Sequence, residues 1–313
     1  MGVLGCYLIE VINSFAGGVL TSERLVIGVT IASELCRCAQ AAHALAPTSA
    51  IGLGRLMIAA VLTSRTQHRS GSLSLQVLAK GRLHQIFTDI NAAGDVRGFV
   101  KPTDLAMPLL SAAERSGRRE IGHAVGTGIL SMIRIPDSQD FTQSSTELVC
   151  GEIDADVEHF LATSDQIPSA LIAEVLFGDD DKVCTAGGVL VQALPGGSLE
   201  RLNAIRAELR EGRLAESLAH SDAAAPEMLR GLFPTAEVPE AAMEVRWKCR
   251  CSRQRVLAAL AMLDPADLAD MANEDQPVEV ACDFCATSFT VSPKEVSEIF
   301  DAVVRARSRS GNN

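Results

Sequence analysis

Cys249-Arg250-Cys251-Ser252-Arg253 and, after thirty intervening residues, Cys282-Asp283-Phe284-Cys285 organise the last quarter of the chain. Two close cysteine pairs across such a spacer suit one tetrahedral Zn²⁺ per chain, with Cys249, Cys251, Cys282 and Cys285 as ligands. Four sulfur donors leave no open coordination position, so a catalytic metal is not expected. The alternatives are four unligated buried thiols, or a structural zinc site that is never oxidised.

The surroundings predict a compact module. Ser252 can cap a helix over Arg253–Leu263. Asp264-Pro265 starts a second helix, with Asp as cap and Pro at the first position. Val278-Glu279-Val280 reads as a strand, and Ser292-Pro293-Lys294-Glu295 as a capping box for a helix over Pro293–Val304. So small a unit buries little apolar surface, and a metal would supply about 10 kcal/mol or more of its folding free energy. The thiolates would be both the ligands and the oxidisable groups. Lys248, Arg250, Arg253 and Arg255 lie near the first pair and are expected to favour thiolate. A Cys282–Cys285 disulfide would close readily, whereas a ring through Cys249 and Cys251 would be strained.

Upstream, residues 196–244 follow the breaker Pro195-Gly196-Gly197. Ser198 precedes the helical stretch LERLNAIRAELREGRLAESL, with Leu199, Leu202, Ile205, Leu209 and Leu214 as its apolar stripe. A short helix is expected over Pro226–Leu232. The segment carries nine acidic and five basic residues, so its helicity should depend on docking against something else.

Residues 1–195 mix periods of two and 3.6. Leu25–Ala32 reads as a strand, Glu34–Leu45 as a helix capped by Ser33, and Ile51–Thr63 as a buried helix despite Gly52 and Gly54. Strands are expected at Ser72–Leu78, Leu83–Ile90 and Val96–Lys101, with Ala92–Asp95 as a turn. Further strands fall near Gly128–Ile135, Ser144–Glu152 and Gly188–Leu194. Asp154–Ser164 and Ser169–Leu176 are weaker strand candidates, and Ile153–Leu161 has helical spacing. The expectation is an α+β protein: a mixed strand and helix domain (1–195), a helical linker (196–244) and a small four-cysteine zinc-binding domain (245–313).

The composition fits this. The chain has 313 residues, 47% of them hydrophobic, which excludes global disorder and a coiled-coil rod. Aromatics are 4%, so the core must be aliphatic. The net charge of −11 argues against nucleic acid as main partner. No apolar run is expected to reach the length needed to span a bilayer, and the apolar start contains Glu10 with no basic residue before it. The expected location is the cytoplasm, where nine cysteines are not a structural disulfide framework.

Trp247-Lys-Cys-Arg-Cys-Ser-Arg-Gln-Arg255 and Glu279-Val-Ala-Cys-Asp-Phe-Cys285 resemble the zinc domain of the redox-regulated heat-shock holdases, the 33 kDa chaperonin family. Gly54-Arg55-Leu56, Val96-Arg97-Gly98-Phe99, Val125-Gly126-Thr127-Gly128, Ser164-Asp165-Gln166-Ile167-Pro168 and Ala186–Gln192 are similar to family segments in the same order. The resemblance runs roughly from Leu20 to Val304. It implies an ATP-independent chaperone of the stress response that binds unfolding proteins and passes them to ATP-dependent chaperones. The reduced, zinc-bound monomer would be inactive. Oxidation would form Cys249–Cys251 and Cys282–Cys285, expel zinc, unfold the switch domain and linker, and favour a homodimer. Gln254 stands where the family usually has Glu, and Ser164-Asp165-Gln166 where it has Ser-Glu-Gln. The first twenty residues match the family poorly.

Other signals are weaker. On a helix, Cys36 and Cys38 point about 200° apart, so both read as core thiols, as do Cys150 and Cys184. Cys6 belongs to no pair. His43, His68, His84, His123, His159 and His220 have no ligand spacing. Asp179–Asp181 reads as a solvated turn rather than a calcium loop. Neither a phosphate-binding loop nor a nucleophile with a general base is found, so an enzyme is not indicated. The competing readings are an enzyme, or a nucleic-acid binder using Arg246, Lys248, Arg250, Arg253 and Arg255, each with a purely structural zinc site.

Overall fold

The computed structural model describes residues 13–67, 71–107, 110–111, 119–136, 141–219, 224–238, 242–274 and 276–310. The chain divides into two compact units, Met1–Lys248 and Cys249–Asn313. The first begins with β1 (Ser14–Leu20), β2 (Leu25–Ile31), α1 (Ser33–His43) and α2 (Pro47–Thr66). It continues through β3 (Ser72–Ala79), β4 (Gln85–Ile90), β5 (Asp95–Lys101), β6 (Leu110–Ser111), β7 (Arg119–Glu120) and α3 (Gly122–Val125). Next come β8 (Gly128–Ile135), β9 (Thr142–Glu147), α4 (Ile153–Thr163), β10 (Ser169–Phe177) and β11 (Val183–Ala193). It closes with α5 (Leu199–Glu208), α6 (Leu214–Ala219), α7 (Ala225–Leu232), β12 (Met243–Glu244) and β13 (Arg246–Trp247).

Two sheets carry this unit. One has the order β10-β11-β2-β1-β12, the other β13-β5-β4-β3-β8-β9. Their pairs are antiparallel except β13 with β5. Helix α2 packs on strands of both sheets, which explains why its apolar residues run all round it rather than along one stripe. Its two glycines sit under close side-chain contacts. A Cβ at Gly52 would lie 2.7 Å from a Leu83 methyl, and one at Gly54 2.7 Å from a Val175 methyl. This helix is long and apolar enough to cross a membrane by length and composition, contrary to the sequence expectation, but it is buried inside the unit.

The five-stranded sheet is apolar on both faces. Leu171, Ala173 and Leu190 belong to the cluster around α2, whereas Ile27, Val29, Ile172, Val189 and Val191 face the other way. That second face is covered by Leu202, Ile205, Leu209, Leu214 and Leu218, and by Met228, Leu229 and Leu232 of α7. Each such side chain contributes about 1.5–3 kcal/mol when fully buried, which is how a charged segment of weak intrinsic helicity is held. Leu199 departs from the expected stripe and is 53% exposed. Ser198 caps α5, its Oγ accepting from the Arg201 amide at 3.2 Å. A π-helical turn, Leu209–Arg213, joins α5 to α6, and Gly212 within it takes φ 113°.

Four local expectations are corrected. Ser33 does not cap α1; its Oγ accepts the Ala186 amide at 3.0 Å, tying the helix to β11. The strand expected over Ser144–Glu152 ends at Glu147, because Glu152 turns inward at the start of α4. Its Oε1 accepts the Ile121 and Gly122 amides at 2.6 and 2.5 Å, and its Oε2 meets Arg55 at 2.6 Å. Asp154–Ser164 is helical, as the spacing over Ile153–Leu161 indicates. Ser14–Leu20, read only as part of an apolar start, is a central strand; residues 1–12 lie outside the described residues.

The second unit contains α8 (Arg253–Leu260), α9 (Pro265–Asn273), the hairpin of β14 (Val278–Ala281) and β15 (Ser288–Val291), and α10 (Pro293–Ser310). Its buried apolar cluster is small: Val256, Leu260, Val291 and Val296, with partly buried neighbours such as Phe289 and Ile299.

Candidate metal centre

Each cysteine pair is positioned by its own turn. Cys249 and Cys251 lie just before α8, whose start is fixed by Ser252 Oγ accepting the Arg255 amide at 3.3 Å. Cys282 and Cys285 occupy the turn between β14 and β15. There the Cys282 amide donates to Thr287 O at 2.9 Å, and the Ala286 amide to Cys282 O at 2.8 Å. Ala286 takes φ 56°, a left-handed conformation that tightens the turn.

The four Sγ atoms lie within 4.8 Å of one another. Cys249 and Cys282 approach to 3.7 Å, and Cys251 and Cys285 to 3.5 Å. A tetrahedron with 2.3 Å metal–sulfur bonds has edges of about 3.8 Å, so the donor set fits Zn²⁺ in size and chemistry. Both of these contacts run between the two pairs, as expected of a centre that joins them. Among the described residues no further His, Cys, Asp or Glu joins this cluster. His68 and His220 lie outside the described residues, as does Cys6.

The electrostatics differ from the sequence expectation. As free thiols, Cys251 and Cys282 are pushed up, first by burial and then by neighbouring thiols. At Cys285 burial also pushes up, but hydrogen bonds from the Thr287 hydroxyl and amide and from neighbouring thiols outweigh it, to about 7. Thr287 Oγ1 stands 3.3 Å from this sulfur. Two of the expected basic neighbours are engaged elsewhere. Arg253 grips both oxygens of Glu295 at 2.7 Å and donates to Thr290 O at 3.0 Å. Lys248 and Arg246 pair with Asp95 at 3.8 and 2.5 Å. Glu295 also completes the capping box, accepting the Ser292 amide at 2.9 Å. The box was readable from its spacing; Arg253–Glu295 and Thr287–Cys285 carry no local signal.

The remaining cysteines divide. Cys36 is a core thiol, pushed up to about 12 by burial. Cys38 is half-buried beside Glu34, 3.3 Å away. Cys150 is exposed, not core, and Cys184 is half-buried and disulfide-bonded, not a free thiol. Asp179–Asp181 lies in an exposed turn.

The family model of the Hsp33 protein matches residues 17–292. The chain belongs to the Hsp33 family. A 33 kDa chaperonin of Trichodesmium erythraeum is 35% identical over 284 residues, 87% of this chain and 88% of that one. The 33 kDa chaperonin of Streptococcus pneumoniae (strain JJA) is 31% identical over 268 residues, 85% of this chain and 91% of that one. The crystal structure of the Thermotoga maritima 33 kDa chaperonin, an Hsp33 homologue, superposes with a TM-score of 0.79 at 26% identity. It covers 94% of this chain and 99% of that one. The α+β fold is thus that of Hsp33, a chaperone family, and the cysteine cluster is a possible zinc site within it.

Proposed function

We propose that this Hsp33 chain is a redox-regulated, ATP-independent holdase that binds unfolding proteins under oxidative and heat stress. The observation that carries the reading is the convergence of four thiols within 4.8 Å in a unit with a small apolar cluster. When bound, Zn²⁺ would cross-link the two halves of that unit through Cys249, Cys251, Cys282 and Cys285. The reduced chain is then an inactive monomer, with residues 196–244 as linker and 245–313 as switch domain.

Oxidation converts the ligands into Cys249–Cys251 and Cys282–Cys285. For each disulfide, two ligand thiolates lose two electrons and one S–S bond forms. One peroxide takes both electrons and two protons from solvent, its O–O bond breaks, and two waters leave. A disulfide sulfur is a poor zinc donor, so the centre loses its metal and the unit its main support. The linker follows, and the sheet face it covers becomes available to clients. Activation favours a homodimer, and held clients pass to ATP-dependent chaperones. We assign the activity to the cytoplasm and no catalytic residue to the chain.

The test is light scattering from a heat-unfolding client without nucleotide. Protein pretreated with peroxide and heat should suppress aggregation while a chromogenic chelator reads released zinc, and reduced, zinc-loaded protein should not. Zinc release without suppression would reduce the centre to an oxidisable structural site.

A further inference from the structure

We propose that the outer edge of β1 and the apolar hollow beside it bind an extended apolar segment of an unfolding client as an added β-strand. In the resting chain Glu237–Val238 and Met243–Glu244 hold this place. The inference rests on the chaperone reading above and adds where, and in what conformation, the client is held.

On its inner side β1 pairs with β2 along its whole length, Ser14 to Leu20. Its outer side is paired only in fragments. Val19 exchanges both backbone bonds with Glu237, at 3.0 and 2.9 Å. Phe15 and Ser14 pair with Met243 and Glu244, and the Val245 amide donates to Asn13 O at 3.3 Å. Between these anchors β1 has three residues, Ala16, Gly17 and Gly18, whereas the chain has five in sequence between Glu237 and Met243. The two runs are therefore out of register. Alternate residues of a strand turn their backbone groups the same way, so Gly17 points outward with Phe15 and Val19, and no described backbone group pairs with it there.

Beside this edge lies a cavity of about 610 Å³, walled by Phe15, Val19, Val26, Ile27, Val238 and Met243. A strand edge with an apolar hollow is what β-strand addition requires: backbone bonds give affinity, and the hollow takes alternate side chains. Affinity carried by the backbone tolerates varied sequences, as unfolding proteins demand. The chain's own occupant shows the pattern. Val238 and Met243 line the hollow, while Glu237 accepts the Thr21 hydroxyl at 2.7 Å. Its release is built into the chain order. From Glu244 the backbone runs through Arg246 and Lys248, bonded to Gly94 O and Val96 O, directly into Cys249.

The test is amide hydrogen exchange at Phe15 and Val19 in the full-length chain. It compares the reduced zinc-loaded protein, the peroxide- and heat-activated protein, and the latter with a permanently unfolded probe, reduced and carboxymethylated lactalbumin. Exchange should be slow in the first state, faster by about tenfold or more in the second, and slow again with probe bound. Probe retained while both amides stay open would overturn the proposal. So would protection in the activated chain without probe, which would assign the edge to a second copy. If the activated chain retains no probe, the chaperone reading itself fails. A V238D/M243D double variant should bind the probe without oxidant and exchange both amides at least about fivefold faster when reduced. Unchanged exchange in that variant would also overturn the proposal.

Discussion

The first unit closes two apolar clusters, one on each side of the five-stranded sheet, whereas the second closes a single small one around Val256, Leu260, Val291 and Val296. In the first, α2 and the helices of residues 199–232 each cover one face of the sheet, and apolar burial is the main support, with ion pairs such as Arg55–Glu152 and Arg206–Glu158 added to it. In the second, the two cysteine turns are brought together by thiols 3.5–3.7 Å apart. One chain thus carries a unit that stands on apolar area and another that stands on chemistry open to chelation and oxidation. On the proposed function, a redox signal would unfold the second unit and undock only the linker helices of the first.

The largest expected effect breaks this comparison at the centre. Removing the proposed metal with a strong chelator, or the C251S/C285S double variant, should unfold the second unit, since metal binding would supply about 10 kcal/mol or more of its stability. Amide spectra should collapse for residues 253–300 and persist for β3, β4 and β8. A second unit that stays folded without metal would erase the distinction.

In the first unit the corresponding vulnerable point is a buried charge. Arg55 is fully buried, pairs with Glu152 at 2.6 Å and Glu174 at 3.6 Å, and donates to Arg119 O at 2.7 Å. Replacing it by Met leaves two carboxylates buried without their cation. Urea unfolding should show a loss of about 3–5 kcal/mol in the first unit, with zinc binding by the second unchanged.

The linker lies between these extremes. Ile205 is buried on the sheet, and Ile205→Ala should cost about 2–4 kcal/mol of docking free energy. Exchange should accelerate in α5 and α6 but not in α2, and aggregation suppression should begin at lower oxidant. Gly212→Ala should have a smaller effect in the same direction, about 1 kcal/mol or somewhat more, because φ 113° strains any side chain.

Legibility in the sequence follows the range of the interaction. The cysteine pairs, the caps at Ser252, Asp264 and Ser292, and strands such as Gly128–Ile135 are local patterns, and the structure places them as read. What was not legible depends on residues far apart in sequence. Gly17 and Gly18 dilute the β pattern of Ser14–Leu20, and the strand exists because β2 on one side and Glu237, Met243 and Glu244 on the other pair with it. The Arg55 site joins residues from α2, the start of α4 and β10. Asp154 and Glu158 look like surface charges of an amphipathic helix. In the fold they accept the Ala173 and Leu171 amides at 3.0 and 2.8 Å, satisfying the edge of β10. Arg206 and Arg210 of the linker pair with the same Glu158 at 2.9 and 3.3 Å, a contact no spacing rule could suggest.

The smallest effect concerns Glu295, which sharpens how much of the second unit is independent of its thiols. Its carboxyl is held down to about 2, chiefly by Arg253 and then by the Ser292 hydroxyl and amide. A carboxylate whose folded value lies below its unfolded one stabilises the fold above the unfolded value, near 4.5, and loses that contribution as pH falls toward the folded value. The wild-type second unit should therefore lose stability on acidification between these limits by an amount that Glu295→Gln does not. Whatever the cysteine centre contributes on acidification is common to both proteins. The difference between the two melting curves at fixed zinc isolates Glu295. Coincident differences at neutral and acid pH would show that Arg253 and Ser292 do not hold the charge, and that the centre alone sets the stability of its unit.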